Sequence, residues 1–142
     1  MKVRVFKTDD TEAVIELWES CGLLRAWNDP QLDILRKQSV GAELFLVGTV
    51  DNVIVASVMG GYDGHRGWMN YLAVDPQRRK GGFARRIVTA LERRLIAIGC
   101  PKVNLQVRSD NTSVLAFYRQ LGYSVDEVTS MGKRLIPDIA NG

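Results

Sequence analysis

The chain has 142 residues, of which 46% are hydrophobic and 25% are charged, and its formal net charge is +3 at pH 7. This length and composition are typical of a globular protein, and we expect a single domain over residues 1–142. A net charge this small gives no reason to expect a nucleic-acid or membrane partner. The N-terminus lacks a signal-peptide pattern and no apolar run reaches membrane-spanning length, so we expect a cytoplasmic location.

The cysteines and the histidine give little support for metal or nucleophilic chemistry. Cys21 and Cys100 lie far apart and have no metal-ligand spacing, so we predict that both are reduced and pack against the core. His65 is the only histidine, which argues against a catalytic triad. We therefore expect no metal site.

The first strand and the first helix are predicted within the N-terminal residues. A short apolar run predicts a strand over residues 3–6. Asp9, with Glu12 three residues later, forms a variant of the capping box that opens a helix, and this helix should end at residues 21–22. The side chains expected on its buried face are Val14, Leu17, Trp18 and Cys21.

A second helix is predicted over residues 31–38, after an irregular segment. Asp29 would cap this helix and Pro30 would occupy its first position. Trp27 precedes both residues, and we predict that its ring closes the end of the core. The alternative, in which Trp27 lines a ligand site, stays open.

Three further strands form a predicted antiparallel meander. Apolar runs rich in β-branched residues occupy residues 44–50, 53–61 and 68–74. Asp51-Asn52, between the first two runs, is a signal for a tight hairpin, and residues 62–67 supply the second turn.

The segment that follows the meander has the features of a phosphate-binding turn. A strand ends at Val74, Pro76 stops it, and a helix is expected to begin at Gly82, just after Gly81. The free N–H groups and the dipole of a helix N-terminus attract anions, and glycines let a pyrophosphate approach the main chain closely. The basic residues around the turn are Arg78, Arg79, Lys80, Arg85 and Arg86. Taken alone, the segment is equally well explained as a solvated loop with a charged helix start.

The C-terminal half predicts a β-α-β crossover. The expected elements are a helix over 82–98 that ends at Gly99, a strand over 102–107, a helix over 111–121 that ends at Gly122-Tyr123, and closing strands over 124–128 and 131–135. A helical connection makes the strand at 102–107 parallel to the one at 68–74 if the two are neighbours. The predicted fold class is therefore α/β (α+β), with a mixed central sheet.

Two motifs fall on these elements in order. Residues 79–84 read Arg-x-x-Gly-x-Ala at a helix start, while Asn111 is followed seven residues later by Tyr118 and then by Leu-Gly-Tyr at 121–123. These motifs resemble the acyl-CoA signature and the N…Y…LGF block of the GNAT superfamily of N-acyltransferases. The resemblance covers nearly the whole chain. Segments 25–30 and 60–67 are most similar to the small bacterial YpeA-type acetyltransferases.

The resemblance implies a mostly antiparallel sheet with one parallel pair of strands that splay apart, and about four flanking helices. The gap between the splayed strands would admit the pantetheine arm of the co-substrate acetyl-CoA, and its amides would pair with the main chain of Leu72 and Val74. The backbone of residues 80–85 would hold the pyrophosphate, and Asn111 would contact the pantetheine, cap its helix, or do both. The implied acetyl-CoA contacts are Leu72, Ala73, Val74, Arg79, Lys80, Gly81, Gly82, Phe83, Ala84, Arg85 and Asn111.

The catalytic residue implied by the resemblance is Tyr118. In the family an amine attacks the thioester directly, and a tyrosine at this place protonates the departing thiolate. A phenol with a pKa of about 10 is protonated at neutral pH and can make this donation. From the residues alone, the better explanation of Tyr118 is a core aromatic on the apolar face of its helix.

The general base stays open, because the strand at 68–71 reads Trp-Met-Asn-Tyr, whereas many family members carry a glutamate there. Asn70 and Tyr71 could position a water chain. Candidates on loops, each also explained as a cap, turn or surface residue, are Asp29, Asp63 and His65. A second departure is Lys80-Gly81, where many relatives have glycine followed by a basic residue.

The expected function is acetyl transfer from acetyl-CoA to a primary amine of an unidentified acceptor, in a ternary complex without a covalent intermediate. The alternative is an acyl-CoA-binding sensor or structural module of the same fold with little catalysis. A nucleic-acid contact at residues 78–86 is disfavoured, because no reading helix or aromatic platform accompanies it. Acceptor selectivity is expected in residues 22–40 and 62–68, and assembly as a homodimer is one option.

Overall fold

Residues 1–138, the part of the chain that the computed structural model describes, contain five strands and four α-helices. The strands are β1 (Lys2–Val5), β2 (Phe45–Val50), β3 (Val53–Tyr62), β4 (Gly67–Val74) and β5 (Val103–Asn104). The helices are α1 (Thr11–Ser20), α2 (Pro30–Val40), α3 (Phe83–Ala97) and α4 (Thr112–Gln120). Short 3₁₀ turns precede α1 and follow β4. Within these residues no helix is long and apolar enough to cross a membrane.

The strands form one sheet in the order β1-β2-β3-β4-β5. Neighbouring strands are antiparallel except β4 and β5, which are parallel because α3 carries the chain back between them. The β2–β3 hairpin turns at Asp51 and Asn52, whose φ values of 51° and 64° suit a two-residue connection. This arrangement confirms the predicted mixed, mostly antiparallel sheet with flanking helices.

Each face of the sheet is covered by helices and has its own core. The core beneath α3 and α4 includes Leu46, Val58, Met69, Ile87, Leu91, Leu95 and Tyr118. The core beneath α1 and α2 includes Phe6, Val14, Leu17, Trp18, Ile34, Phe45 and Met59. Both cysteines are free as predicted, with Cys100 buried and Cys21 half-buried.

β4 contains a bulge at Tyr71. The register between β3 and β4 shifts between Ser57 and Met59, so that Val58 faces two residues, Tyr71 and Leu72. Tyr71 has a φ of 51°, a conformation that costs a non-glycine residue about 1–2 kcal/mol. Because side chains alternate along a strand, the extra residue turns Tyr71 towards α1 and α2, whereas Leu72 packs on the α3 side.

Two predictions for the C-terminal third are wrong. The strand predicted over residues 102–107 is only Val103–Asn104, because β4 bulges just beyond this pairing and the two chains separate. Residues 124–138 form no strand. Their apolar side chains, such as Val128 and Met131, are exposed, so they do not bury the apolar surface that would hold a strand in place.

The capping box predicted at Asp9 is also wrong. A 3₁₀ turn moves the start of α1 to Thr11, and the neighbouring Asp10 makes the polar contacts. Its carboxylate accepts the Lys7 N–H at 2.8 Å and two hydrogen bonds from Arg4 at 2.7 and 2.9 Å. The polar contacts therefore involve Asp10 rather than Asp9 because Arg4 on β1 is their partner. A local sequence pattern does not reveal this partner.

Candidate active site

The turn between β4 and α3 presents an uncapped helix N-terminus. Gly82 is the N-cap residue, with a φ of 76°, and no side chain caps the helix there. The Arg86 N–H donates to the Gly82 carbonyl at 3.0 Å, so the N–H groups of residues 83–85 precede the first helical hydrogen bond. Nothing lies within 4 Å of the place that a Cβ on Gly82 would occupy. These backbone donors are therefore open to an anion.

The positive charge around this turn is exposed. Arg79, Lys80 and Arg85 have exposed side chains and form no ion pair with the residues described here. Arg86 lies 5.9 Å above the Phe83 ring and donates to a main-chain carbonyl at 2.8 Å. The cationic groups that the sequence predicts for pyrophosphate binding are thus gathered at one helix end.

The strained residue of the turn is Lys80 rather than Gly81. Lys80 has a φ of 72°, whereas Gly81 is not among the residues with positive φ. A Cβ on Gly81 would lie 3.6 Å from the Arg78 carbonyl and 3.8 Å from the Phe83 ring, which are ordinary contacts. In the order Lys80-Gly81, it is therefore the lysine that occupies the position where the backbone favours glycine.

A gap opens between β4 and the chain that follows β5. Parallel pairing stops at Trp68 and Asn104, whereas β4 continues to Val74. Beyond that pair, the β5 side of β4 has no strand partner among residues 1–138, so its main-chain groups are available to an extended ligand. One acceptor is partly used, since the Val74 carbonyl accepts the Cys21 thiol at 3.2 Å. The predicted contacts on this stretch are Leu72, Ala73 and Val74.

Tyr118 packs in the same core as Val74 and Leu91. Its ring meets the Tyr123 ring edge-on, with centroids 5.6 Å apart. The Tyr118 hydroxyl has no hydrogen-bond partner among the described residues, yet it is not sealed from solvent. Burial raises the pKa of Tyr118 to about 12. The phenol therefore keeps its proton at neutral pH and is available as an acid.

Asn111 caps α4, as one of its two predicted roles requires. Its Oδ1 accepts the Val114 N–H and the Ser113 hydroxyl, both at 3.3 Å. The amide NH₂ of the same side chain has no acceptor among residues 1–138, so capping leaves a donor free. The contact with pantetheine stays a prediction.

Trp27 does not plug the core, contrary to prediction. Its side chain is 52% exposed, and the guanidinium carbon of Arg108 lies 5.8 Å from its ring centroid. The reason lies in residues 124–138, which we call the tail. Arg134 of the tail donates hydrogen bonds to the Trp27 carbonyl and, at 2.7 Å, to Asn28 Oδ1. The loop backbone is thereby fixed while the indole stays outside.

The tail also closes on the start of α2 through Asp138. This buried carboxylate accepts the Asp29 N–H at 2.9 Å and Arg36 Nη1 at 2.7 Å. These contacts, the Asp29 N–H first, hold the pKa of Asp138 below its usual value. Asp29 caps α2 as predicted, accepting the Gln31 N–H at 2.9 Å.

The loop candidates for a general base have structural explanations. Asp63 Oδ1 accepts the N–H groups of His65 and Arg66 at 2.8 and 2.7 Å, which closes the turn before β4. Those two hydrogen bonds lower the pKa of Asp63. His65 and Asn70 are exposed. Since Asp29 is a helix cap, the candidates that remain are Asn70 and Tyr71, both on the stretch of β4 that follows its pairing with β5.

Tyr71 is held at three points. Its ring stacks on Trp18, with centroids 3.8 Å apart and planes 8° from parallel. Its hydroxyl donates to Asp33 Oδ2 at 2.5 Å, and its carbonyl accepts the Ser57 hydroxyl at 3.4 Å. Ser57 in turn accepts the Trp18 indole N–H at 3.0 Å.

Sequence reasoning missed Asp33 and Ser57. A lone serine inside the apolar run at 53–59 is a signal, because a buried hydroxyl needs a hydrogen-bond partner. Asp33 carries no comparable signal, because its partner depends on the bulge that turns Tyr71 towards α2.

Comparison with known proteins agrees with this geometry. The model of the acetyltransferase (GNAT) family matches residues 10–123. A protein of Yersinia pestis (strain Pestoides F) named acetyltransferase is 54% identical over 138 residues, which is 97% of this chain and 98% of that protein. Ard1 from Thermoplasma volcanium superposes with a TM-score of 0.79 at 25% identity, over 88% of this chain and 83% of that one.

A second solved structure shares the fold. AAC(6')-Iy, solved with the bisubstrate analogue CoA-S-monomethyl-acetylneamine, has a TM-score of 0.74 at 17% identity, over 94% of this chain and 98% of that one. The sheet with its parallel end pair, the uncapped helix after β4 and the extent of the family match lead to one conclusion. This chain belongs to the GNAT acetyltransferase family.

Proposed function

We propose that this chain transfers the acetyl group of acetyl-CoA to a primary amine by direct attack in a ternary complex. The observation that carries the proposal is the gap beside β4, a strand that leads to an uncapped helix N-terminus and packs in one core with Tyr118, whose hydroxyl has no hydrogen-bond partner among residues 1–138. The structure of AAC(6')-Iy with a ligand that joins CoA to an acetylneamine supports a shared cleft for donor and acceptor.

In this proposal the donor is held mainly by main-chain groups. The N–H groups of residues 80–85 and the charges of Arg79 and Lys80 bind the pyrophosphate. The pantetheine amides pair with β4 at Leu72 and Val74, as an added strand would. The free NH₂ of Asn111 donates to the pantetheine while its oxygen caps α4.

The chemistry needs an acid for the leaving group. The amine nitrogen attacks the thioester carbonyl carbon, the C–S bond breaks, and Tyr118 gives its proton to the departing sulfur. A covalent enzyme intermediate has no support from either cysteine. The Cys21 thiol points at the Val74 carbonyl, and the buried Cys100 thiol contacts the Lys102 carbonyl at 3.4 Å.

The test is thiol release from acetyl-CoA with a panel of amines, for wild type, Tyr118→Phe and the matched control Tyr123→Phe. Tyr123 touches the Tyr118 ring, but its hydroxyl donates to Glu92 at 2.9 Å. We expect Tyr118→Phe to lower kcat about 100-fold or more with an unchanged Kd for acetyl-CoA, and Tyr123→Phe to keep most of the activity.

Full kcat in Tyr118→Phe, under conditions where chemistry limits the rate, would remove the acid role. Initial-rate lines that intersect support the ternary complex, whereas parallel lines indicate a covalent intermediate. Tight binding of acetyl-CoA without turnover of any amine would favour the acyl-CoA-binding module instead.

A further inference from the structure

We propose, on the basis of the function proposed above, that the hydroxyl of Tyr71, backed by the carboxylate of Asp33, takes the proton of the acceptor amine on the face of the sheet covered by α1 and α2. Asp33 lies on α2, away from the strand on which the sequence lacks a carboxylate.

The face on which the amine loses its proton follows from the positions of the two tyrosines. Tyr118 belongs to the core beneath α3 and α4, whereas Tyr71 packs against the core beneath α1 and α2. Without the bulge, alternation along β4 would put Tyr71 on the same side as Tyr118. The bulge therefore places the two phenols on opposite faces of the sheet, and a strained residue of this kind is characteristic of functional sites.

The hydrogen bond between Tyr71 and Asp33 is short, and the Asp33 carboxylate has a different partner near each of its two oxygens. The phenol oxygen lies 2.5 Å from Asp33 Oδ2, and Arg36 Nη1 lies 3.7 Å from Asp33 Oδ1. The other charged groups that face the pair are Asp138 from the tail and Asp29 at the start of α2. Arg36 is shared with Asp138, to which it donates at 2.7 Å. The carboxylate thus keeps one oxygen directed at Tyr71.

Tyr71 needs the Asp33 carboxylate in order to accept a proton from the amine. Burial, followed by the hydrogen bond to Asp33, raises the pKa of Tyr71 above its usual value, so the phenol is neutral at neutral pH. A neutral phenol accepts a proton only as it passes its own to a partner. Asp33 Oδ2 is the acceptor already in line.

When the acceptor amine arrives protonated, as an ammonium group, it loses two protons during the reaction. One N–H bond breaks and the proton moves to Tyr71 Oη, while the proton of Tyr71 moves to Asp33 Oδ2 and from there to solvent. The nitrogen keeps the electron pair and uses it to form the C–N bond as the C–S bond breaks. A second proton leaves the nitrogen when the amide forms, and it balances the proton that Tyr118 gives to the thiolate.

The experiment compares Tyr71→Phe and Asp33→Asn with the control variants Tyr123→Phe and Glu12→Gln. Phenylalanine at position 71 keeps a ring to stack on Trp18, while the Tyr123 hydroxyl donates to Glu92 at 2.9 Å, away from Asp33. The probes are spermidine, a lysine amide, an alanine peptide and trifluoroethylamine, whose nitrogen is unprotonated at neutral pH. The readouts are kcat/KM for each amine between pH 6 and pH 10 and the Kd for acetyl-CoA.

We expect both variants to lose about 100-fold in kcat/KM for a protonated amine at pH 7, with an unchanged Kd for acetyl-CoA. The loss should shrink as pH approaches the pKa of the amine, and trifluoroethylamine should show less than about a threefold loss. The two controls should keep most of the wild-type activity.

Two results would overturn the proposal while leaving the proposed function in place. One is wild-type kcat/KM in Tyr71→Phe, and the other is a deficit that is the same at every pH, which would mean a structural role alone. Wild-type protein that binds acetyl-CoA and acetylates none of the probes would count against the proposed function as well as this proposal.

Discussion

Trp18 stacks face to face on Tyr71, with ring centroids 3.8 Å apart, and its indole N–H donates to Ser57 at 3.0 Å. Ser57 then donates to the Tyr71 carbonyl at 3.4 Å. One fully buried tryptophan therefore supports both the side chain and the main chain of the β4 bulge. The positive φ of Tyr71 persists because these contacts outweigh its strain.

Ser57→Ala should destabilise the protein by about 1–2 kcal/mol, because it leaves the buried indole N–H of Trp18 without its partner. Trp18→Phe should cost at least as much, because it removes the donor to Ser57 and leaves a cavity at a fully buried site. Urea denaturation measures both losses and that of the double variant. We expect the double variant to lose less than the sum, since both residues serve one hydrogen-bonded chain. Additive losses would mean that the two contacts are independent.

Exchanging Lys80 and Gly81 should stabilise the protein. The variant Lys80→Gly/Gly81→Lys puts glycine at the position with a φ of 72° and keeps both residue types, so the entropy of the unfolded chain does not change. We expect a gain of about 1 kcal/mol in the free energy of unfolding. A loss of stability would show that the Lys80 side chain makes a favourable contact in the turn.

Gly82→Glu should abolish acetyl-CoA binding without unfolding the protein. The space around Gly82 is open, so the new carboxylate occupies the place proposed for the pyrophosphate and repels it. We expect calorimetry to give at least about a 100-fold rise in Kd relative to Gly82→Ala, which shares the backbone strain but adds no charge. Equal affinities for the two variants would contradict the pyrophosphate site.

Asp10→Asn should destabilise the protein by about 1–2 kcal/mol at neutral pH, because the partly exposed Arg4 loses a charged partner. The hydrogen bond from Arg4 lowers the pKa of Asp10. Its stabilising effect is therefore present above the unfolded pKa of about 4 and is lost as pH falls through the lower folded value. Unfolding curves at several pH values should show a smaller acid dependence in Asp10→Asn than in the control Asp9→Asn.

Asp138→Ala should release the tail from α2. The carboxylate accepts hydrogen bonds from Asp29 and Arg36, and without it the peptide bonds after Lys133 and Arg134 become accessible to trypsin. The control Asp126→Asn removes an exposed tail carboxylate that pairs with Lys102 and should leave cleavage slow.

Short-range patterns predicted most of the fold. Asp29 with Pro30 marked the start of α2, and Gly122-Tyr123 marked the end of α4, where the Tyr123 N–H donates to the Tyr118 carbonyl at 3.0 Å. These signals depend on residues that are neighbours in the chain, so a single sequence contains them.

The features that escaped prediction depend on partners that are distant in the chain. Tyr71 and Asp33 are 38 residues apart, and Asp29 and Asp138 are 109 apart. The strands expected over 124–128 and 131–135 are absent, because a local sequence does not reveal whether a sheet edge is there to pair with it. The same reason explains Trp27, whose position depends on Arg134 in the tail.

The separate cores on the two faces of the sheet have a consequence for how this protein can change. If donor and acceptor meet the gap from opposite faces, mutations that alter the choice of amine fall in the packing around α1 and α2. The packing around α3, next to the turn proposed to bind CoA, is then untouched. New acceptor preferences can therefore accumulate in descendants of this chain without a penalty in the affinity for acetyl-CoA.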